Sequence, residues 1–378
     1  MRLGKVMVVF GTRPEAIKMA PVIKELKKVQ DIETLVVVTA QHREMLDQVL
    51  NLFSIVPDYD LDLMKDQQDL YSITTGVLNG LKEIMEQEKP DLVLVHGDTT
   101  TTFAAALAAF YQRIPVGHVE AGLRTRNKFS PYPEEMNRTL TARLTELHFA
   151  PTDLSRENLL AESTAVFKIW VTGNTVIDAL METVQPDYKF GEELKEINLK
   201  NRILLVTTHR RENWGDRMRD IYQALIQLVE EFDDVEVVFP VHKNPTVKDI
   251  ALEMLEGRER FHLLEPMEYE PFSNLMNASY IVLTDSGGIQ EEAPSLGKPV
   301  LVLRDTTERP EAIQAGTVKL VGTIQEHIYE AARLLLSDRK EYDKMAHAVN
   351  PYGDGKAARR IVKVVKDFLY VRIGASNL

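Results

Sequence analysis

Three acidic side chains and one arginine in the first half of the chain are of types that carry out acid–base chemistry. Asp98 and Glu120 each follow a short apolar run, and Glu134 and Arg138 lie four residues apart at the start of an amphipathic stretch. That helical pair has an ordinary explanation, an acid near a helix N-terminus beside a neighbour one turn on. Three acids at successive strand or helix ends are harder to explain as structure, because unpaired buried carboxylates are costly. We therefore interpret the three acids as candidates for a functional site, whereas the pair of Glu134 and Arg138 taken alone would be structural.

A glycine turn follows the first apolar run, in the sequence Gly11-Thr-Arg-Pro-Glu15. Glycine permits a tight turn, and proline suits the first turn of a helix. Because helix N-termini attract anions, we expect an anion site here, to which Arg13 and Lys18 add positive charge. A purely structural turn is the alternative interpretation. The segment contains neither G-x-G-x-x-G nor a Walker motif, which argues against dinucleotide and ATP binding.

A second glycine turn has the sequence Thr284-Asp-Ser-Gly-Gly-Ile-Gln-Glu-Glu292. Ser286, Gly287 and Gly288 would offer a hydroxyl and backbone N–H groups to a diphosphate at a helix N-terminus. Glu292 comes about one turn later, where its carboxylate could accept both hydroxyls of a ribose. A serine in such a turn also suits a hydrolase, but the nucleophile pattern G-x-S-x-G is absent.

Histidines also follow apolar runs in the second half of the chain. His209 and Arg210 come after one run and His242 after another, so we expect all three to face a ligand. Together with His96 and His118, these histidines raise the question of a metal site. The sequence has no H-x-x-x-H pair or comparable ligand spacing, so we predict no bound metal.

Composition limits the class of protein. The 378 residues are 44% apolar and 27% charged, which is typical of a globular protein and long enough for two domains. The net charge of -12 argues against nucleic-acid binding, which depends on clustered Lys and Arg. No apolar run reaches the length of a membrane helix, no signal peptide is recognisable, and there is no cysteine. We therefore expect a cytoplasmic protein without membrane or nucleic-acid partners.

Short apolar runs alternate with longer amphipathic stretches along most of the chain. This alternation predicts an α/β protein with two Rossmann-like, doubly wound parallel-sheet domains. The predicted domains are residues 1–171 and 172–355, with a polar linker between about residues 172 and 201. Because open α/β sheets bind ligands at the carboxyl ends of their strands, we expect the domains to face each other across an active-site cleft. The predicted strands are residues 6–10, 35–39, 92–95, 116–119, 147–149, 203–207, 235–239, 261–264, 281–284, 300–303 and 318–320.

Several motifs occur together in a fixed order along the chain. They are Gly11-Thr-Arg-Pro-Glu15, His96-Gly-Asp98, His118-Val-Glu-Ala-Gly-Leu-Arg124, Pro133-Glu-Glu-Met-Asn-Arg138, Thr208-His-Arg-Arg-Glu-Asn213 and Asp285-Ser-Gly-Gly288. In these motifs, and over nearly its whole length, the sequence resembles the bacterial non-hydrolysing UDP-N-acetylglucosamine 2-epimerases. The resemblance implies a GT-B-like fold in which a last helix, residues 356–378, crosses back onto the first domain.

Matched motif by motif, the resemblance also assigns roles to individual residues. It implies catalytic roles for Asp98, Glu120, Glu134, Arg138 and His209. It implies UDP contacts for Arg13, Lys18, His242, Phe272, Ser286, Gly287 and Glu292. It further implies a homodimer and a role in supplying N-acetylmannosamine for surface polysaccharides. Because the chain lacks a dinucleotide motif and metal-ligand spacing, we expect no cofactor.

The reaction that the resemblance implies inverts carbon 2 of a UDP-linked N-acetyl sugar. Direct removal of the carbon-2 hydrogen is chemically unfavourable, because that carbon is not adjacent to a carbonyl. The family instead eliminates UDP to give 2-acetamidoglucal and then adds UDP back. This route needs a base, stabilisation of oxocarbenium-like charge, and cations for the departing diphosphate. Glu120 or Glu134 is the expected base and Asp98 the acid that protonates the intermediate, while Arg13 and His209 are the expected cations.

Other functional classes share part of this sequence evidence. A glycosyltransferase could have the same fold and UDP site, and so could a nucleotide-sugar-binding regulator without chemistry. The set of three acids favours isomerisation over both. A hydrolysing 2-epimerase, which releases free N-acetylmannosamine, is the nearest variant, but those enzymes usually carry an additional kinase domain.

Many bacterial members of the family bind a second UDP-N-acetylglucosamine beside the active site as an activator. The resemblance assigns that activator site to Gln41, His42, residues 44 and 67, Arg210 and Glu212. Activated members carry Gln and Arg where this chain has Glu44 and Gln67. An added anion and a lost cation beside a diphosphate weaken its binding. We therefore predict weak or absent activation by substrate.

Overall fold

The computed structural model describes residues 3–40, 43–63, 69–195 and 197–376. The chain divides into two compact units, Met1–Ala179 with Tyr352–Leu378, and Leu180–Pro351. Each unit contains one sheet, and every strand pairing in both sheets is parallel. The predicted fold class, two parallel-sheet α/β domains, is therefore confirmed. The predicted cleft between the domains stays a prediction.

The sheet of the first unit has seven strands in the order β3-β2-β1-β4-β5-β6-β7. The strands are β1 (Gly4–Phe10), β2 (Ile32–Val38), β3 (Tyr59–Asp60), β4 (Leu92–His96), β5 (Val116–Val119), β6 (Leu147–Ala150) and β7 (Ile169–Val171). The helices that begin in this unit are α1 (Arg13–Lys27), α2 (Arg43–Leu52), α3 (Leu70–Glu88), α4 (Thr100–Tyr111), α5 (Glu134–Leu144), α6 (Asp153–Ala161), α7 (Thr175–Thr183) and α15 (Ala357–Ser376).

The sheet of the second unit has six strands in the order β10-β9-β8-β11-β12-β13. The strands are β8 (Arg202–Thr207), β9 (Val235–Pro240), β10 (Phe261–Leu264), β11 (Ile281–Thr284), β12 (Val300–Val302) and β13 (Val318–Leu320). The helices are α8 (Asp216–Glu231), α9 (Pro245–Leu255), α10 (Tyr269–Ala278), α11 (Gly287–Glu292), α12 (Pro310–Ala315), α13 (Gln325–Ser337) and α14 (Arg339–Ala346).

The apolar runs of the sequence form the buried centres of both sheets. β1 and β4 are buried along their whole length, as expected when helices cover both faces of a parallel sheet. Every predicted strand is present. β3 and β7 were not predicted, because these two edge strands are only two and three residues long and part of each is exposed.

The chain passes from the first unit to the second within α7. The sequence predicted this division between residues 171 and 172, whereas in the structure the first part of α7 belongs to the first unit. The reason is local, because the Asp178 carboxylate accepts the backbone amides of Ala357 and Ala358 at the start of α15, at 3.1 and 2.9 Å. These bonds cap the N-terminus of α15, whose free N–H groups need acceptors.

The helix α15 returns the chain to the first unit. Its apolar face includes the buried Ile361, Val365 and Leu369, and the helix packs against α1. The side chain of Leu369 also lies so close to β1 that a Cβ at Gly4 would be 3.2 Å from it. In the described part of the chain, no helix combines the length and apolar character needed to cross a membrane.

Candidate active site

The Glu120 carboxylate is the centre of a cluster at the carboxyl ends of the strands in the first unit. Glu120 directly follows β5, and its side chain is 9% exposed. Its Oε2 atom is ion-paired with Lys18 of α1, accepts a hydrogen bond from Asn174 Nδ2 at 3.1 Å and lies 3.3 Å from His96 Nε2. Burial alone disfavours the charged form, but Lys18 and His96 outweigh it and hold the pKa of Glu120 well below its usual range.

The Asp98 carboxylate lies in the same cluster but in a different electrostatic environment. It pairs with the largely buried Arg138, whose Nη2 is 2.9 Å from Asp98 Oδ2. Burial raises the pKa of Asp98; Arg138 opposes this rise, whereas the nearby charges of Glu120 and Glu134 add to it. Two neighbouring carboxyl groups therefore have pKa values displaced in opposite directions, which is how enzymes separate a base from an acid.

Glu134 and Glu135 begin α5 and have different surroundings. Glu134 is half-buried, and its charge acts on Asp98. Glu135 is buried, and its carboxylate accepts the backbone amides of Thr125 and Arg126 at 3.0 and 2.8 Å. Glu135 therefore fixes the loop after β5, whereas Glu134 is left to interact with the acid cluster.

The first glycine turn is closed by its own carboxylate. Glu15 is 2% exposed, and its Oε2 accepts the backbone amides of Gly11 and Thr12 at 3.0 and 2.8 Å. Its Oε1 accepts the hydroxyls of Thr99 and Thr102 at 2.7 and 3.1 Å. The prediction that this turn offers backbone N–H groups to an external anion is therefore wrong for these two amides, because an internal anion already occupies them.

Gly11 is required for packing rather than for turn geometry. Its φ is not positive, but a Cβ at this position would lie 2.1 Å from Thr39 Oγ1 and 2.8 Å from Thr101 Oγ1. The side chain of Arg13 is half-buried and makes no hydrogen bond or ion pair with the residues that the structure describes. Its guanidinium can thus meet a ligand, whereas Lys18 is engaged by Glu120.

In the second unit, a buried aspartate orients the predicted histidine. Asp285 directly follows β11 and is fully buried. Its carboxylate accepts the backbone amides of His209 and Arg210 at 2.9 Å and the side chain of Asn213 at 3.1 Å, and it lies 3.0 Å from His209 Nδ1. Burial disfavours the charged form, but the bonds from His209 and these amides lower the pKa of Asp285. The Nδ1–H of His209 therefore donates to Asp285, and Nε2 is left for a ligand.

The rings of His209 and His242 are stacked, with their centroids 5.8 Å apart. Burial and the His209 ring lower the pKa of His242, so this histidine is neutral at neutral pH. Its Nδ1 accepts the backbone amide of Asn244 at 3.1 Å, which leaves Nε2 as the N–H donor.

The second glycine turn has unoccupied backbone donors. The amide of Ser286 donates to Thr284 Oγ1 at 2.9 Å, but the amides of Gly287 and Gly288 have no acceptor among the described residues. Neither glycine has a positive φ, and a Cβ would meet nothing closer than 4.0 Å at Gly287 and 3.8 Å at Gly288. Neither backbone strain nor crowding within this unit explains why both positions are glycine.

The Glu292 carboxylate ends α11 and is held by a tyrosine. Tyr269 of α10 donates its hydroxyl to Glu292 Oε1 at 2.9 Å. Burial and the Glu292 charge raise the pKa of Tyr269 well above its usual range, so the phenol remains a donor. Phe272, one turn further along α10, is half-buried.

His118 in the first unit is arranged in a way that fits a structural rather than a ligand role. His118 donates Nε2–H to the carbonyl of Gly97 at 2.7 Å, and burial lowers its pKa to about 3. Within the described ranges, no group of three or more His, Cys, Asp or Glu side chains is arranged to hold a metal ion.

The predicted activator residues are only partly described. Gln41, His42, Gln67 and the side chain of Glu44 lie outside the described residues. Glu212 pairs with Arg304, whose Nε is 2.7 Å from Glu212 Oε1. The Nε of Arg210 is buried and has no hydrogen-bond partner among the described residues.

The chain is similar to known proteins along nearly its whole length. The model of the UDP-N-acetylglucosamine 2-epimerase family matches residues 24–366. The chain belongs to this family. The UDP-N-acetylglucosamine 2-epimerase of Bacillus subtilis (strain 168) is 57% identical over 96% of this chain and 95% of the relative.

Solved structures of family members agree with this assignment. A Listeria monocytogenes protein has a TM-score of 0.92 and 54% identity over 97% of each chain. The UDP-N-acetylglucosamine 2-epimerase of Neisseria meningitidis, solved bound to UDP-N-acetylglucosamine, has a TM-score of 0.84 and 54% identity over 96% of this chain and 99% of that chain.

Sequence reasoning did not assign roles to three residues that support the site of this epimerase family member. Asn174 and His96 contact Glu120, and Asp285 orients His209. A signal was available for Asp285, which directly follows an apolar run and begins the motif Asp285-Ser-Gly-Gly288. No signal was available for Asn174, because its short strand β7 was not recognised.

Proposed function

We propose that the chain is a non-hydrolysing epimerase that interconverts UDP-N-acetylglucosamine and UDP-N-acetylmannosamine by eliminating UDP and adding it back. The observation that carries the proposal is the pair Glu120 and Asp98, whose pKa values are displaced in opposite directions within one cluster. A carboxyl group whose pKa is lowered, beside one whose pKa is raised, can divide the removal and the delivery of a proton between them. The bound UDP-N-acetylglucosamine of the Neisseria meningitidis relative supports the choice of substrate.

The chemistry of the proposed reaction begins at carbon 1 of the sugar. As the bond from carbon 1 to the diphosphate oxygen breaks, its electron pair leaves with UDP, and the positive charge that develops acidifies the hydrogen on carbon 2. Glu120 takes that proton to give 2-acetamidoglucal. Asp98 then delivers a proton to carbon 2 on the opposite face as the UDP oxygen bonds to carbon 1 again. Proton exchange with water restores both carboxyl groups, and the charge of Glu134 stabilises the oxocarbenium-like state.

We assign nucleotide binding to the second unit. The amides of Gly287 and Gly288 lack acceptors, and neither position is crowded, as a close approach of diphosphate to the backbone requires. The carboxylate of Glu292 is assigned to the ribose hydroxyls, with His209, His242 and Arg13 assigned to the phosphates. We also propose a homodimer and a supply of N-acetylmannosamine units for surface polysaccharides.

The test is incubation with UDP-N-acetylglucosamine alone in heavy water, followed by NMR. The expected result is UDP-N-acetylmannosamine, with deuterium at carbon 2 of both product and recovered substrate. Free N-acetylmannosamine and UDP would instead identify a hydrolysing enzyme, and an unchanged substrate that reacts only with an added acceptor would identify a glycosyltransferase. Retention of the original hydrogen at carbon 2 would rule out elimination.

A further inference from the structure

The two oxygens of the Glu120 carboxylate are not equivalent. The Oε2 atom contacts Lys18, Asn174 and His96, as described above. The Oε1 atom makes no hydrogen bond with any residue that the structure describes. A carboxylate held through one oxygen presents the other, with its lone pairs, to whatever lies in front of it.

The backbone of Glu120 supports this orientation. Its φ is +64°, in the left-handed region that non-glycine residues rarely occupy. Such a conformation is unfavourable and persists only where the surrounding structure enforces it. Here the next residue, Ala121, donates its amide to the carbonyl of Phe149 on β6 at 3.0 Å, which fixes the turn after β5.

Asn174 is held at several of its own atoms. It is 2% exposed, its backbone amide donates to the carbonyl of Tyr352 at 2.6 Å, and its Oδ1 accepts the amide of Val176 at 3.1 Å. The bond to Val176 requires that the oxygen of the amide lies on that side. The Nδ2 group must therefore face Glu120, and the direction of the hydrogen bond follows from the network.

We propose that Asn174 is a positioning residue that holds Glu120 through Oε2, so that Oε1 is the atom that accepts the carbon-2 proton. The inference rests on the proposed function. Lys18 contributes charge through a long side chain, whereas Asn174 contributes direction through a short one fixed at three atoms. A base whose Oε1 is already aimed at the proton needs no reorientation during the reaction.

Two substitutions of Asn174 separate positioning from folding. Asn174→Asp keeps the oxygen that accepts the Val176 amide and replaces the donor to Glu120 by a second anionic oxygen. Asn174→Ala removes the whole amide. Asn158→Ala is the matched control, because the Asn158 side chain donates to the carbonyl of Gly122 at 3.0 Å in the same loop without contacting the carboxylate.

The charged and titratable groups that act on Glu120 are Lys18, His96 and Asp98, and none is altered in these variants. A hydrogen bond to a charged group is stronger than one between neutral groups, so kcat should fall about tenfold or more in Asn174→Ala. The KM should change less than about threefold. Removing a donor to the carboxylate raises its pKa, so the acid limb of the kcat/KM profile should move to higher pH. The shift should be larger in Asn174→Asp, because like charges disfavour the ionised form.

A spectroscopic measurement tests the same inference without turnover. In protein labelled with 13C-glutamate, the Glu120 carboxyl signal is assigned by its loss in Glu120→Gln. Its titration midpoint should rise in both Asn174 variants and stay unchanged in Asn158→Ala. An unchanged midpoint and an unchanged acid limb in folded Asn174→Asp would overturn the inference, even if kcat fell. A wild-type protein that forms no epimer would instead overturn the proposed function. The titration midpoint of Glu120 would then decide by itself whether Asn174 holds the carboxylate.

Discussion

The turn at residues 11–15 and the turn at residues 285–292 both join a buried parallel strand to a helix through glycine, yet their glycine amides have different partners. In the first, Glu15 occupies the amides of Gly11 and Thr12. In the second, the amides of Gly287 and Gly288 have no acceptor in the described part of the chain.

The difference arises from the third residue of each helix. That residue is Glu15 in α1, where it completes a capping box with the residue that precedes the helix. It is Ile289 in α11, whose apolar side chain cannot accept a hydrogen bond. A glycine turn before a helix therefore predicts an external anion only when no side chain in the first helical turn serves as an internal one. The comparison indicates a structural role for the amides of Gly11 and Thr12 and supports the proposal that the second turn binds the nucleotide.

The largest expected effect concerns two acids of the first unit. Glu120→Gln and Glu134→Gln should slow the chemical step by about 100-fold or more, the scale of acid–base contributions, while the dissociation constant of UDP changes little. Rates from the conversion of UDP-N-acetylglucosamine and UDP affinities from calorimetry check this. The exposed Glu157, changed to Gln, is the control. Normal turnover in both variants would show that the acids are structural.

A second substitution tests the nucleotide role of the second unit. Glu292→Ala should weaken UDP binding about 10- to 100-fold, because a charged acceptor of the ribose hydroxyls is lost. Tyr269→Phe should have a smaller effect, since it removes a hydroxyl that donates to the carboxylate but keeps the carboxylate itself. The analogue 2′,3′-dideoxy-UDP lacks both ribose hydroxyls, so its dissociation constant should be similar in wild type and Glu292→Ala. If Glu292→Ala weakened both ligands equally, the carboxylate would not contact the ribose.

The glycines of the two turns offer a matched pair of substitutions. Gly11→Ala should destabilise the fold by about 1–3 kcal/mol, because its Cβ would displace the buried hydroxyls of Thr39 and Thr101. Gly288→Ala should change stability by less than about 0.5 kcal/mol but weaken UDP binding about tenfold, because the methyl group obstructs the approach of the diphosphate. Urea unfolding and calorimetry measure the two quantities. The opposite pattern would reverse the roles assigned to the two turns.

The smallest expected effect is that of UDP-N-acetylglucosamine as an activator, which should change the rate of the reverse reaction little or not at all. Starting from pure UDP-N-acetylmannosamine, the reverse reaction should begin at a linear rate that a trace of UDP-N-acetylglucosamine does not change. The reason is the added charge of Glu44 and the missing cation at Gln67. In the double variant Glu44→Gln with Gln67→Arg, the rate of the reverse reaction should then depend on the added trace of UDP-N-acetylglucosamine. A lag in the wild-type reaction, abolished by the trace, would contradict the prediction.

Strong local patterns account for the parts of the fold that the sequence predicted. Central strands such as β4 and β11 are continuous apolar runs because both faces are covered, so composition alone reveals them. The edge strands β3 and β7 lack such runs, because pairing on one side keeps them only partly buried.

The candidate site was predictable only where a residue type indicates chemistry. The acids and histidines could be named in advance, but the partners that set their ionisation could not. Asn174 is distant in sequence from Glu120, and their contact depends on a strand that was not recognised. Glu15 was also missed, although its signal is local: a glutamate at the third position of a helix that follows a threonine is a capping-box pattern.

The return of α15 to the first unit affects the order in which the chain can fold during synthesis. The second unit, Leu180–Pro351, is continuous and can complete its core as soon as its own residues are available. The first unit is discontinuous, so the apolar surface that α1 shares with α15 stays open to water while all of the second unit is being made. On the ribosome, the unit that is synthesised first is thus completed last, and its exposed helix surface is where we expect a chaperone to bind a nascent chain.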